Sequence, residues 1–210
     1  MRIFNVDGPV YKFLSNLVAL VEINFLWMLC SLPLVTLGGA TIAAFDVCMK
    51  LIGGEEGHIA QDFFRAFRRN FKNGIPYGLL LLLCSYVVWL DFSLFEQIEG
   101  NPLILLVMGI LAVFSFILSF LFAFPLQARY ENTLIRTLKN STDISMKYFV
   151  RTLTLLIALA VQIFLFFWNG LTLTIGFLIG PACVIYTISS YARIFFAELE
   201  KEPGTVTYPE

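Results

Sequence analysis

From Leu103 to Gln127 the chain reads LILLVMGILAVFSFILSFLFAFPLQ, without one charged side chain. A helix of that length exceeds the roughly 20 apolar residues that cross a bilayer's hydrocarbon. The rest of the chain agrees. Only 14% of its 210 residues are charged, against roughly a quarter in a soluble domain. Such a composition cannot cover a water-facing surface. Inside hydrocarbon every backbone N–H and C=O must be satisfied internally, so repeated single runs of this kind fold as helices. The expected fold is an all-α, polytopic membrane helical bundle forming one domain over residues 1–210.

Five long spans follow from the apolar runs, at about 14–32, 75–95, 103–127, 146–168 and 171–199. The run from Leu14 to Leu37 is too long for a signal-peptide core of about 7–15 residues, so it reads as a retained span. Pro33, Gly38 and Gly39 interrupt the next segment. This leaves a short membrane-embedded helix at about 41–52, either a sixth crossing or a re-entrant piece. Polar residues at 128–147 suggest a helical hairpin beyond the membrane face, broken at Lys139–Thr142, with Ser141-Thr142-Asp143 capping its second helix. Asn169-Gly170 is a tight turn.

The stretch IAQDFFRAFRRNFKNG places its charge among its aromatics. At 100° per residue, Phe63, Phe64, Phe67 and Phe71 share one side of a helix over 59–73, and Arg65, Arg68, Arg69 and Lys72 share the other. Asn73-Gly74 is expected to end it. The pattern suits a cytoplasmic amphipathic helix lying flat on the membrane, its phenylalanines at the acyl boundary and its cations at anionic headgroups. The same side chains could instead meet a partner's groove. A net charge of −1 argues against nucleic acid.

Lysine and arginine set the orientation. Residues 50–74 carry Lys50, Arg65, Arg68, Arg69 and Lys72; residues 129–151 carry Arg129, Arg136, Lys139, Lys147 and Arg151; residues 91–102 and 168–171 carry none. The basic segments are expected to face the cytoplasm of a multi-pass protein of the cell membrane. With six crossings both termini are cytoplasmic; with five the N-terminus is outside. We take six.

Chemistry-bearing patterns are sparse. There is no phosphate loop, no H-E-x-x-H and no G-x-S-x-G, and His58 is the single histidine. The chain is therefore read as non-catalytic, with no cofactor and no metal site. Cys30, Cys48, Cys84 and Cys183 sit in apolar runs and read as small buried hydrophobes. Glu22, with Asn24 beside it, falls near the middle of the first span. Charge at that depth is costly, so Glu22 is expected inside the bundle, hydrogen-bonded or forming a proton or solute site. Asp46 and Lys50 are four apart on one stripe and extend this candidate polar set. Gly176 and Gly180 permit close helix packing, within the chain or between copies.

Three stretches carry a family likeness: NFLWMLCSLPLVTLGGATIAA at 24–44, EEGHIAQDFFRAFRRNFK at 55–72 and FPLQARYENT at 124–133. Together they resemble the YesL family of bacterial membrane proteins, a family of unknown function. Its most specific features here are the S-L-P-x-V-T-x-G turn and the F-F-x-x-F-x-x-N-F-K helix. The chain departs from it at Gly39, where many members carry proline. The resemblance implies a Gram-positive bacterial protein encoded near carbohydrate ABC transporters and sugar-degrading enzymes. It thus implies an accessory or regulatory role in carbohydrate uptake, with such a transporter as partner beside the lipid bilayer. No functional residue carries over. The alternative is a small-solute permease or transporter subunit with its polar site near Glu22 and Asp46, since broken membrane helices often mark binding sites.

Overall fold

In a computed structural model the described residues are 9–55, 57–97, 103–130 and 132–200, and every element among them is helical. The expected lead-in before Pro9, the loop after Gln97 and the tail after Glu200 lie outside them. The helices are α1 (Pro9–Ser31), α2 (Leu37–Gly53), α3 (Ile59–Gln97), α4 (Leu103–Leu121), α5 (Ala123–Arg129), α6 (Leu134–Lys147), α7 (Phe149–Phe166) and α8 (Gly170–Leu199). A single 3₁₀ turn, Leu34–Thr36, joins α1 to α2. Among the described residues six segments are long and apolar enough to cross a membrane, so the protein is an all-α, multi-pass helical bundle.

The second segment is longer than expected. Its helix begins at Leu37 rather than Thr41, and with the 3₁₀ turn the apolar segment spans 20 residues, Leu34–Gly53. Gly38 and Gly39 are helical because α3 crosses them at backbone distance. A Cβ on Gly38 would overlap the Gly74 carbonyl and the Gly78 amide. That contact offsets the poor helix propensity of glycine. α2 is the central helix, packed against α1, α3, α5 and α8, with Ala40, Ile42, Ala43, Ala44 and Cys48 wholly buried. Gly54, at φ 72°, closes α2 with its N–H on the carbonyls of Leu51 and Lys50.

The amphipathic stretch is helical, but Asn73-Gly74 does not end it. α3 runs unbroken for 39 residues, through Gly74 and Pro76. At about 1.5 Å per residue it is roughly 58 Å long, about twice the hydrocarbon thickness. Its first third is thus one helix with the apolar segment that follows and packs along α2, where a separate surface helix was expected. Gly74 serves the crossing with α2, and tertiary packing overrides the local terminator.

The expected span 103–127 is broken at Phe122, between α4 and α5. Pro125 lacks the N–H that would close a rung onto Leu121, and it sits in the first turn of α5, where that loss is tolerated. α6 repairs the break. The Phe122 amide donates to Ser141 Oγ at 3.1 Å, while Ser141 and Ser145 hydroxyls donate to the Leu118 carbonyl at 3.2 and 3.1 Å. Accordingly α6 is one uninterrupted helix, and the expected break at Lys139–Thr142 is absent. Ser141 is a buried docking residue in mid-helix rather than part of a cap. At the opposite turn Asn169 and Thr172 form a reciprocal capping box that starts α8.

Candidate functional site at the charged end

The ion pairs gather at one end of the bundle, where α2 and α8 finish and α3 and α7 begin. Lys50 Nζ lies 3.3 Å from Asp46 Oδ2, as their four-residue spacing allows. α3 runs alongside and extends the pair into a network. Arg69 Nη2 reaches Asp46 Oδ1 at 3.5 Å, and Asp62 Oδ1 is 3.8 Å from Lys50 and 3.3 Å from Arg65. On the other side Arg129 meets Glu200 at 2.6 Å, and Arg151 Nη1 reaches both Glu198 oxygens at 2.6 and 2.7 Å. Exposed pairs are individually worth about 0–1 kcal/mol, so their effect here is orientation more than stability.

Beneath these charges lies a buried polar layer. Gln127 is 1% exposed; its Oε1 accepts from Tyr77 at 2.8 Å and from Thr137 at 3.3 Å. This ties α3, α5 and α6 together. Asn70, also buried, donates to the Ala66 carbonyl at 3.0 Å. Arg193, from α8, donates to the Met49 carbonyl at 3.1 Å, at the C-terminal end of α2 where cations are favoured. Together Lys50, Arg69, Arg129, Arg193, Asn70 and Gln127 help line a polar cavity of about 410 Å³.

The candidate residues divide among different places. Glu22 is on the exposed face of α1, which corrects the expectation that it points into the bundle. Asn24, two residues on, is the buried one, at 1% exposure. Its Nδ2 donates to the carbonyls of Phe177 at 3.1 Å and Leu178 at 2.8 Å, and its Oδ1 accepts from the Ala182 amide at 3.3 Å. Pro181 explains the need: it has no N–H for the Phe177 carbonyl, and Asn24 supplies one. Asn24 is thus a structural splint for α8, and it shares no site with Asp46.

The phenylalanines of α3 are likewise not equivalent. Phe63 is 0% exposed, on the stripe Phe63, Ala66, Asn70, Gly74 and Tyr77 that packs into the core; an acyl-boundary position for it is corrected. Phe67 is half-buried against Gly39, whereas Phe64 and Phe71 are exposed. Arg68 and Lys72 are exposed beside them. Gly176 and Gly180 lie against the ring of Phe166 in α7. A larger apolar cavity of about 1030 Å³ lies among α1, α2, α4, α7 and α8, with Phe45, Phe120 and Phe166 in its wall. Gln127 and Arg193 were not singled out from the sequence. The available signal for Gln127 was a lone amide closing a 25-residue uncharged run; nothing local marked Arg193.

Residues 20–92 match the family described as a protein of unknown function, DUF624. The chain is also 24% identical over 135 residues to "Uncharacterized protein YesL" of Bacillus subtilis (strain 168), covering 62% of this chain and 64% of that protein. The match therefore spans less than two thirds of that relative's length. No solved structure matches.

Proposed function

We propose that this YesL-like chain, carrying a DUF624 region, is a non-catalytic accessory or regulatory protein of the bacterial cell membrane. It engages a carbohydrate-uptake system through its charged end, with both termini in the cytoplasm. The observation that carries the reading is the first third of α3, which runs alongside α2 toward the charged end. One face of it is committed to the core, while Arg65, Arg68 and Lys72 and the rings of Phe64 and Phe71 remain exposed beside a polar cavity. A mixed cationic and aromatic surface on a rigid helix suits a protein partner. The resemblance to YesL supports the choice of an ABC transporter.

Affinity purification of the tagged chain from native membranes tests this. A transporter should co-purify, and charge reversal at Arg65, Arg68 and Arg69 should release it without loss of the folded chain. Recovery of the chain alone from both wild type and variant would overturn the accessory role. The alternative, a small-solute permease, predicts flux in reconstituted liposomes. Its composite site is weakened by geometry, since Glu22 is not among the residues lining the cavity that holds Asp46. For orientation, a cysteine introduced at Ser15 should resist an impermeant reagent on intact cells; labelling there would put the N-terminal end outside.

A further inference from the structure

We propose that the polar cavity between α2, α3, α5 and α8 is a binding site for a phosphate-bearing anion, whatever partner the charged end meets. Three observations converge on it. First, Lys50, Arg69, Arg129 and Arg193 line the cavity against two carboxylates, Asp46 and Glu55. Lys50 and Arg69 share Asp46; outside the lining, Lys50 also lies 3.8 Å from Asp62, and Arg129 is engaged by Glu200. Second, Arg193 has no carboxylate within 4.0 Å among the described residues; it spends one N–H on the Met49 carbonyl. A guanidinium has five N–H donors in a planar fork, so most of its capacity is unspent. Third, one buried lining side chain carries an unmet donor. Gln127 Nε2 has no acceptor among the described residues, although Gln127 is 1% exposed and its own oxygen already accepts twice.

An unmet donor at this burial is rare in a folded protein and calls for an acceptor. The acceptor must be anionic, because the surrounding donors are mostly charged. It should carry three oxygens rather than two. The Arg193 fork, the Lys50 and Arg69 heads and the Gln127 amide come from four different elements, more directions than a planar carboxylate can serve. A phosphomonoester meets them all. At about 410 Å³ the cavity also admits a substituent beyond the phosphate itself. Glu55, exposed on the lining, disfavours a second strong anion there. The phosphate could arrive on a soluble metabolite or on a lipid headgroup.

The test uses the full chain in nanodiscs of phosphatidylcholine. Inorganic phosphate is titrated calorimetrically, with acetate as competitor. Parallel discs doped with phosphatidic acid are examined by native mass spectrometry. Wild type should bind phosphate saturably, or retain phosphatidic acid; the first outcome assigns a soluble ligand and the second a lipid. Arg69→Gln should weaken binding by about tenfold or more, the scale of a lost charge-assisted contact. Arg69 is 52% exposed, so the fold should survive the change. Arg65→Gln is the control: Arg65 is on the same helix, 74% exposed and outside the cavity lining, and should leave binding unchanged. Gln127→Glu keeps the acceptor for Tyr77 and Thr137 but sets an acceptor or an anion where the free donor stood, so it should abolish binding. If that variant does not fold, the Arg69 and Arg65 comparison still decides. Equal weakening at Arg65 and Arg69, acetate binding as well as phosphate, or no binding of either phosphate source overturns the site.

Discussion

Asn24→Leu is the sharpest available perturbation, because a nearly isosteric change removes three bonds to one stretch of α8. Those bonds, to the carbonyls of Phe177 and Leu178 and from the amide of Ala182, surround the rung that Pro181 cannot make. Interhelical hydrogen bonds in membranes average about 0.6 kcal/mol and reach about 1.7. Three of them give roughly 2–5 kcal/mol for the substitution. Adding Pro181→Ala gives a sharper test. Alanine restores the N–H that serves the Phe177 carbonyl and lets Ala182 and Leu178 pair within α8. Asn24 then becomes partly redundant, and its loss should cost about 1–3 kcal/mol less in the Pro181→Ala background than in wild type. Unfolding of all four proteins in mixed micelles with increasing sodium dodecyl sulfate, followed by far-ultraviolet circular dichroism, measures the cycle. Additivity within about 0.5 kcal/mol would show that Asn24 does not replace the missing rung.

Three further outcomes follow from the packing. Gly38→Leu should destabilise the bundle by about 1–3 kcal/mol or more in the same assay, since any Cβ there collides with α3 backbone, whereas Gly170→Ala, with open space around it, should be nearly silent. Phe63→Ala should cost about 3–5 kcal/mol and Phe64→Ala clearly less, because Phe63 is enclosed and Phe64 is exposed; equal effects would mean that the first third of α3 does not dock on α2. Glu22→Leu should raise the midpoint of thermal unfolding, because it removes a carboxylate from the exposed face of a span; a fall would indicate that Glu22 has a stabilising neighbour in the membrane.

What the sequence determined alone was the set of properties that a bilayer reads in one dimension. Long uncharged runs must be helices that span, so the existence of α4, α7 and α8 was legible, and the start of α8 to within a residue, although the break after Leu121 was not. The i,i+4 spacing of Asp46 and Lys50 likewise made their pairing a local matter. Tertiary structure decided wherever a local signal had a partner far along the chain. Asn73-Gly74 reads as a helix end, yet α3 continues there because Gly38 and Gly39 meet it across the bundle. Ser141-Thr142-Asp143 reads as a cap, yet Ser141 lies in mid-helix because Phe122 and Leu118 have polar backbone groups to satisfy. Nor could hydropathy say which of Glu22 and Asn24 faces inward. Lipid and protein core are about equally apolar, so an outward side chain and a buried one look alike in the pattern. Only the broken rung at Pro181, 157 positions away from Asn24, supplies the reason that the amide went inside and the carboxylate did not.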